Sequence, residues 1–290
     1  LSAGVYSGMG LFDLMRQRED SEREGLHRFS DKIQFKTRLL RRGVPVPKIL
    51  FMSSRLPHDM LRILSELDTT RFVAKPTHLA ATSFVYVMRD GVNLVNGKPT
   101  TLAEVAQGLA ESWQDRHVDD WATESTAPGV IIEELIEPST AQRPLESTPD
   151  ELKCHTFFGE LFFCEWVFVE SMSSGDEGST HFWGAHAAGD RARPTAGHRN
   201  NGVPNFKTRG VVFKEGSCFD CEEPLPMSPA QWSALVEIVE AVAQGTDHIR
   251  IDVFIKPGGD IVVNEANISF LKISKLPPEL LREMGVRWLE

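Results

Sequence analysis

Helical and strand periods alternate along this chain. From Asp31 to Arg42 apolar and basic positions recur at helical spacing, with Ser30 ahead as a cap and Gly43 behind as a stop. Val44 to Pro47 reads as a short extended connector, and Pro57 to Leu67 as a second helix. Phe72 to Lys75 is a strand stopped by Pro76. Phe84 to Met88 and Val92 to Val95 predict a hairpin around Asp90 and Gly91, residues that tolerate positive φ. Leu102 to Gln114 follows as a helix, and Val130 to Ile136 as a buried strand ending near Pro138. Leu152 to Phe158 and Leu161 to Val169 form a second hairpin around Gly159. Pro229 to Val242 is a helix with Gly245 past its end, and a short helix comes after Pro277 and Pro278. Hairpins mixed with helices predict α+β layers, not a doubly wound parallel sheet.

The most informative stretch lies between those last two helices. Arg250 to Ile255 and Ile261 to Asn267 are β-rich runs joined by Lys256 to Asp260, a Pro-Gly-Gly turn signal. Side chains alternate along a strand, so Arg250, Asp252 and Phe254 share one face. On the second strand Asn264 and Ala266 face one way, and Val263, Glu265 and Asn267 the other. A hairpin therefore brings Asp252, Glu265 and Asn267 together beside Arg250. Two carboxylates and an amide oxygen suit Mg²⁺ and leave open positions for phosphate oxygens. A surface hairpin with solvated charges is the plainer alternative.

Composition narrows this picture. The 290 residues hold one large domain or two to three small ones. A net charge of -10 and a pI near 5.4 argue against nucleic acid as a main partner. No run of about 18 apolar residues occurs, so no membrane span is expected. Leu1 to Met15 lacks the basic start and cleavage pattern of a signal peptide, and a cytoplasmic location is expected. A first residue Leu1 predicts a fragment, a processed product or a trimmed chain. Cys218 and Cys221 make a C-x-x-C without a second pair at zinc spacing; with Cys154 and Cys164 they are expected as reduced, incidental thiols.

Ser171 to Asn205 is rich in Gly, Ser, Asn, Asp and His, the composition of a long loop. Arg191, Arg193, Arg199, Lys207 and Arg209 make this region basic. It reads either as a solvated loop or as a flap over about 171–210 that takes an anionic substrate or a triphosphate. His181, His186 and His198 beside Asp176 and Asp190 fit no compact zinc spacing. Phe157, Phe158, Phe162, Phe163, Trp166 and Phe168 read as core.

The order of elements carries a resemblance. Asp31 and Lys32 open a helix that leads to Gly43 and Pro47. Lys75 then closes a strand, a small-residue loop follows, and Val130 to Glu137 comes next. The Arg250, Asp252, Glu265, Asn267 hairpin ends the series. This succession, over roughly residues 30–270, resembles the ATP-grasp superfamily, seen in D-alanine–D-alanine ligase and biotin carboxylase. Asp31-Lys32 with so short a leader, and Glu151-Leu-Lys153-Cys-His155 running to Gly159, look most similar to the teichuronopeptide-biosynthesis type.

The resemblance implies ATP between two α+β lobes, with a reduced N-terminal lobe. It divides the chain into a helical segment 1–70, a small lobe 71–136 and a large lobe 137–290. Lys32 and Lys75 would reach the phosphates, and His78, Thr82 and Ser83 would line the phosphate loop. Glu133, Glu134, Leu135 and Ile136 would form the hinge that reads adenine, with Glu133 at the amino edge. Glu137 or Glu151 would hold the ribose beside Lys153. Asp252, Glu265 and Asn267 would bind Mg²⁺, and Arg250 would stabilise the transferred phosphoryl group. A triphosphate needs such a set of metals and cationic side chains. The loop from Thr77 to Ser83 departs from the family in having no glycine, which normally allows close backbone approach.

The implied activity is an ATP-dependent carboxylate–amine ligase acting on a small-molecule carboxylate and amine. An ATP-grasp kinase acting on a hydroxyl, or a non-catalytic nucleotide-binding protein, are the alternatives. A homodimer is compatible with this reading.

Overall fold

The computed structural model describes residues 27–79, 84–115, 126–138, 149–168, 207–219, 225, 227–268 and 278–289. The elements are α1 (His27–Ser30), α2 (Lys32–Arg41), β1 (Ile49–Ser53), α3 (Met60–Ser65), β2 (Arg71–Pro76), β3 (Tyr86–Arg89), β4 (Val92–Asn93), β5 (Lys98–Pro99) and α4 (Leu102–Ser112). Then come β6 (Val130–Glu134), β7 (Asp150–Phe157), β8 (Glu160–Phe168), β9 (Lys207–Phe213), β10 (Cys218–Phe219), α5 (Pro229–Ala243), β11 (His248–Ile255), β12 (Ile261–Asn267) and α6 (Pro278–Leu289).

The strands make two antiparallel sheets of six, in the orders β1-β6-β2-β3-β4-β5 and β10-β9-β8-β7-β11-β12. The fold is α+β, as the mixture of hairpins and helices predicts. No described helix is long and apolar enough to cross a membrane.

Local chemistry explains most boundaries. Asp31, not Ser30, caps α2, its carboxylate accepting from the amides of Ile33 and Gln34. Thr101 with Glu104, and Ser228 with Gln231, form capping boxes at the starts of α4 and α5. The β7–β8 hairpin turns through Phe158 and Gly159, both at positive φ (51° and 87°), the backbone of a tight two-residue turn. Four strands were missed: β1, β9 and the short β5 and β10. β1 pairs with β6, Ile49 with Glu133 and Ser53 with Val130, so nothing local announces it. The backbone of β9, paired with β8, begins at Lys207 and therefore takes residues 207–210 out of the expected flap. The rest of that flap and its histidines lie outside the described residues.

Each sheet has its own core. Phe72, Ala74, Met88, Val130 and Ile132 pack under α3 and α4. Leu152, Trp166, Ile249, Ile251 and Val253 pack under α5 and under Phe29, Phe35 and Leu39 of the first helices. The expected helical segment 1–70 is thus shared out: residues 29–39 belong to the second core, and β1 with α3 to the first. The link between them runs along the edge of β12, where the Val263 amide donates to the Pro45 carbonyl at 2.8 Å. Cys154 and Cys164, cross-strand partners on β7 and β8, are joined by a disulfide. That overturns the expectation of reduced thiols for this pair, whose Cα atoms lie 3.9 Å apart in the second core.

Candidate active site between the two sheets

The site begins with an irregularity in β12. Arg250 pairs with Asn267 and Asp252 with Glu265, but the next partners are Val253 and Val263, so Asn264 is an extra residue. A bulge of this kind re-aims side chains. It sends Val263 into the core, against the strict alternation expected from the sequence, and Asn264 to the same side as Glu265 and Asn267. The predicted grouping of Arg250, Asp252, Glu265 and Asn267 on one face is therefore present.

Asp252 is the most enclosed member, with no exposed surface. Arg250 Nε and Nη2 each donate to its two oxygens at 2.7 Å, the planar fork that suits a carboxylate. Lys153 reaches it at 3.4 Å and Glu151 at 2.8 Å. Burial would weaken both cations, but their carboxylate neighbours outweigh it and hold the Arg250 and Lys153 pKa values above the ordinary range. Burial, together with nearby Asp252 and Glu265, pushes Glu151 up against the pull of Lys153. Glu265 goes the other way: burial opposes its charge, and Lys32, Lys75 and Lys153 overcome that.

The facing sheet supplies cations. Lys75 lies on the side of β2 away from Phe72 and Ala74, and donates to Asn264 Oδ1 at 3.3 Å. It also pairs with Glu133 at 3.0 Å. Glu133 is shared with Lys36, 2.7 Å away, a residue that sequence reasoning passed over. Lys36 looks like a solvated lysine on an amphipathic helix, yet it is 1% exposed, whereas Leu40 one turn on is 51% exposed. Burial lowers Lys36 to about 8 despite Glu133. Burial opposes the Glu133 charge, but Lys75 and Lys36 bring its pKa down to about 2. Lys75 is held above its usual value because Glu133, Glu265 and Glu151 outweigh its burial. Lys32 Nζ donates to the Leu79 carbonyl at 2.9 Å, tethering the segment that follows β2. Gly129 lets Thr77 and Ile33 pack closely: a Cβ there would stand 2.5 Å from Thr77 Oγ1 and 2.8 Å from Ile33.

Other expected site residues are placed differently. Glu133 is a counter-ion to two lysines, not a group exposed at a hinge. His78 is buried with Nε2 2.9 Å from the Ser112 carbonyl at the end of α4, so it is not a phosphate contact in this arrangement. Thr82 and Ser83 lie outside the described residues. Glu134 accepts from the Lys48 amide at 3.0 Å and from Lys256 at 2.9 Å, tying the end of β6 to the turn before β12. Leu135 is half-buried and Ile136 buried. Glu137 pairs with Arg89 and, at 3.5 Å, with Arg71, on the face of the first sheet that carries Lys75.

The carboxylate face continues into a buried His155–Glu165 pair, 3.1 Å apart. Beyond it, Phe157, Phe163 and Val211 are covered by Leu280 and Met284 of α6.

Among the described residues no three His, Cys, Asp or Glu side chains are grouped to hold a metal. Asp252 and Glu265 face each other across β11 and β12, and Asn267 adds an amide oxygen on the same face. This donor set fits a hard divalent cation, since all its donors are hard oxygens and two of them are carboxylates.

No family model and no curated protein matches the chain. Among solved structures, D-alanine–D-alanine ligase from Bacillus anthracis overlaps it with 15% identity and a TM-score of 0.45, over 83% of this chain and 57% of that one. VanG D-Ala:D-Ser ligase from Enterococcus faecalis gives 16%, 0.44, 82% and 52%. The ATP-grasp ligase PsnB complexed with a minimal precursor gives 12%, 0.40, 89% and 55%. The chain spans little more than half the length of these structures. Every one of these TM-scores is below one half, a level at which likeness has no weight for function.

Proposed function

We propose that this chain is an ATP-grasp enzyme that joins a small-molecule carboxylate to an amine through an acyl phosphate, releasing ADP and phosphate. One observation carries the proposal: the bulge in β12 sets Lys75 of one sheet on Asn264, next to the Asp252 and Glu265 pair of the other. Cationic and carboxylate groups from two lobes then face one cleft, the arrangement a metal-bound triphosphate requires.

In this reading Lys75 and Lys32 hold phosphate oxygens, and Arg250 exchanges its fork on Asp252 for the transferring phosphoryl group. Asp252, Glu265 and Asn267 would hold Mg²⁺, which neutralises phosphate charge when bound. Lys153 and Glu151 stand at the ribose side. The stretch from Glu134 to Ile136 offers backbone for adenine, with Glu137 behind it. The site acts mainly by positioning and by charge stabilisation. The small lobe at about 71–136, the large lobe at 137–290, the teichuronopeptide-type kinship and a cytoplasmic location belong to the same proposal.

The fork that occupies Asp252 favours a second reading, a protein that binds nucleotide without turnover. A screen of small carboxylic acids, amines and hydroxyl compounds for ADP release separates the readings. Release that needs both an acid and an amine supports the ligase. Release with a hydroxyl compound alone marks a kinase, and nucleotide binding with no release under any pair marks the non-catalytic protein.

A further inference from the structure

Lys36 contacts the site only from behind. Its ammonium lies 2.7 Å from Glu133 Oε1 and donates to the Val263 carbonyl at 3.3 Å. The other oxygen of Glu133 pairs with Lys75, which donates to the Asn264 amide. The chain of contacts Val263, Lys36, Glu133, Lys75, Asn264 thus leaves β12 and returns to it one residue later. It draws in α2, β6 and β2 on the way. Three of its ionic members, Lys36, Glu133 and Lys75, are at least nine-tenths buried, so their contacts are little screened.

We propose that Lys36 is a positioning residue. By taking one oxygen of Glu133 and fixing that carboxylate against β12, it sets where Lys75 stands relative to the carboxylate strand. The proposal rests on the nucleotide site described above. Two ammonium groups contact one carboxylate, one on each oxygen, so Lys36 competes with Lys75 for its charge. Without Lys36, Glu133 is left to Lys75 alone. The phosphate lysine is then drawn back onto its counter-ion and is less available to an incoming anion.

The test is a double-mutant cycle read by calorimetry with Mg²⁺ and two probes, ATP and AMP. K36Q should lower ATP affinity by about tenfold, the scale of one charge-assisted contact, and leave AMP affinity unchanged. K75A should lower ATP affinity at least as much, and the double variant should bind ATP no more weakly than K75A alone. K36R, which keeps the charge, should recover most of the loss. Losses that multiply in the double variant, or an equal loss for AMP, would overturn the proposal and leave Lys36 a structural lysine. If K36Q does not fold, E133D shortens the same link and should show the same ATP-selective loss. Wild-type protein that binds neither nucleotide defeats the site itself, a result visible before any substitution is made.

Discussion

The two sheets present opposite charge imbalances to the cleft between them. On the side of the first sheet, Lys36 and Lys75 share Glu133, two cations to one carboxylate. On the second sheet, Asp252, Glu151 and Glu265 stand with Arg250 and Lys153, three carboxylates to two cations. Neither cluster is neutral alone, and the two meet where Lys75 reaches Asn264 beside Glu265. One imbalance suits an anion and the other a cation. A metal-bound triphosphate is both at once.

The largest expected effect breaks the first cluster. Glu133→Gln keeps the shape of the side chain but strands two buried ammonium groups, and should destabilise the protein by roughly 3–5 kcal/mol in urea unfolding. A loss below about 1 kcal/mol would mean that the lysines are solvated and the contrast between the sheets is false. Glu265→Gln acts on the second cluster. Glu265 is only half-buried, so folding should survive. Titration should show the Mg²⁺ needed for ATP binding rising by about tenfold or more. An unchanged Mg²⁺ requirement removes Glu265 from the metal site.

Acidity probes the first cluster more finely. Lys36 has its pKa depressed to about 8 from 10.5. Between those values the unfolded chain holds the extra proton, so stability rises with pH across that window. Measured against K36Q, wild-type protein should gain stability from pH 8 to pH 10 and show no such relative gain below pH 7. Glu133, depressed to about 2 from 4.5, contributes stability that is complete above 4.5 and lost as pH falls through 2. The smallest effect lies outside the cleft. Arg62 pairs with Glu66 at 3.1 Å with both side chains more than half exposed, and Arg62→Ala should change stability by less than about 1 kcal/mol.

Legibility in the sequence followed the range of the interactions. Caps and turns are local chemistry, so α4, α5 and the Asp90-Gly91 and Phe158-Gly159 hairpins could be read directly, and Asp252 opposite Glu265 followed from one hairpin. The bulge at Asn264 could not be read, because the contacts around it, Asn264 with Lys75 and Val263 with Lys36, span 189 and 227 positions. The role of Lys36 was hidden for the same reason. Its one signal was an inverted pattern, a lysine on the side of α2 where Phe35 and Leu39 point inward and Leu40 points out. His78 misled because a histidine in a small-residue loop looks available, whereas α4 supplies a carbonyl that holds it inside.

The central claim is that nucleotide lies between the two charge-imbalanced clusters. Its most direct test is a crystal structure with Mg²⁺ and a non-hydrolysable ATP analogue. Lys75 Nζ should move from Asn264 to a phosphate oxygen, with the metal ion on Glu265 and Asp252 and the Arg250 fork turned from Asp252 to the terminal phosphate. A nucleotide bound elsewhere, or in the cleft with the Lys75–Asn264 and Arg250–Asp252 contacts both intact, would contradict the account.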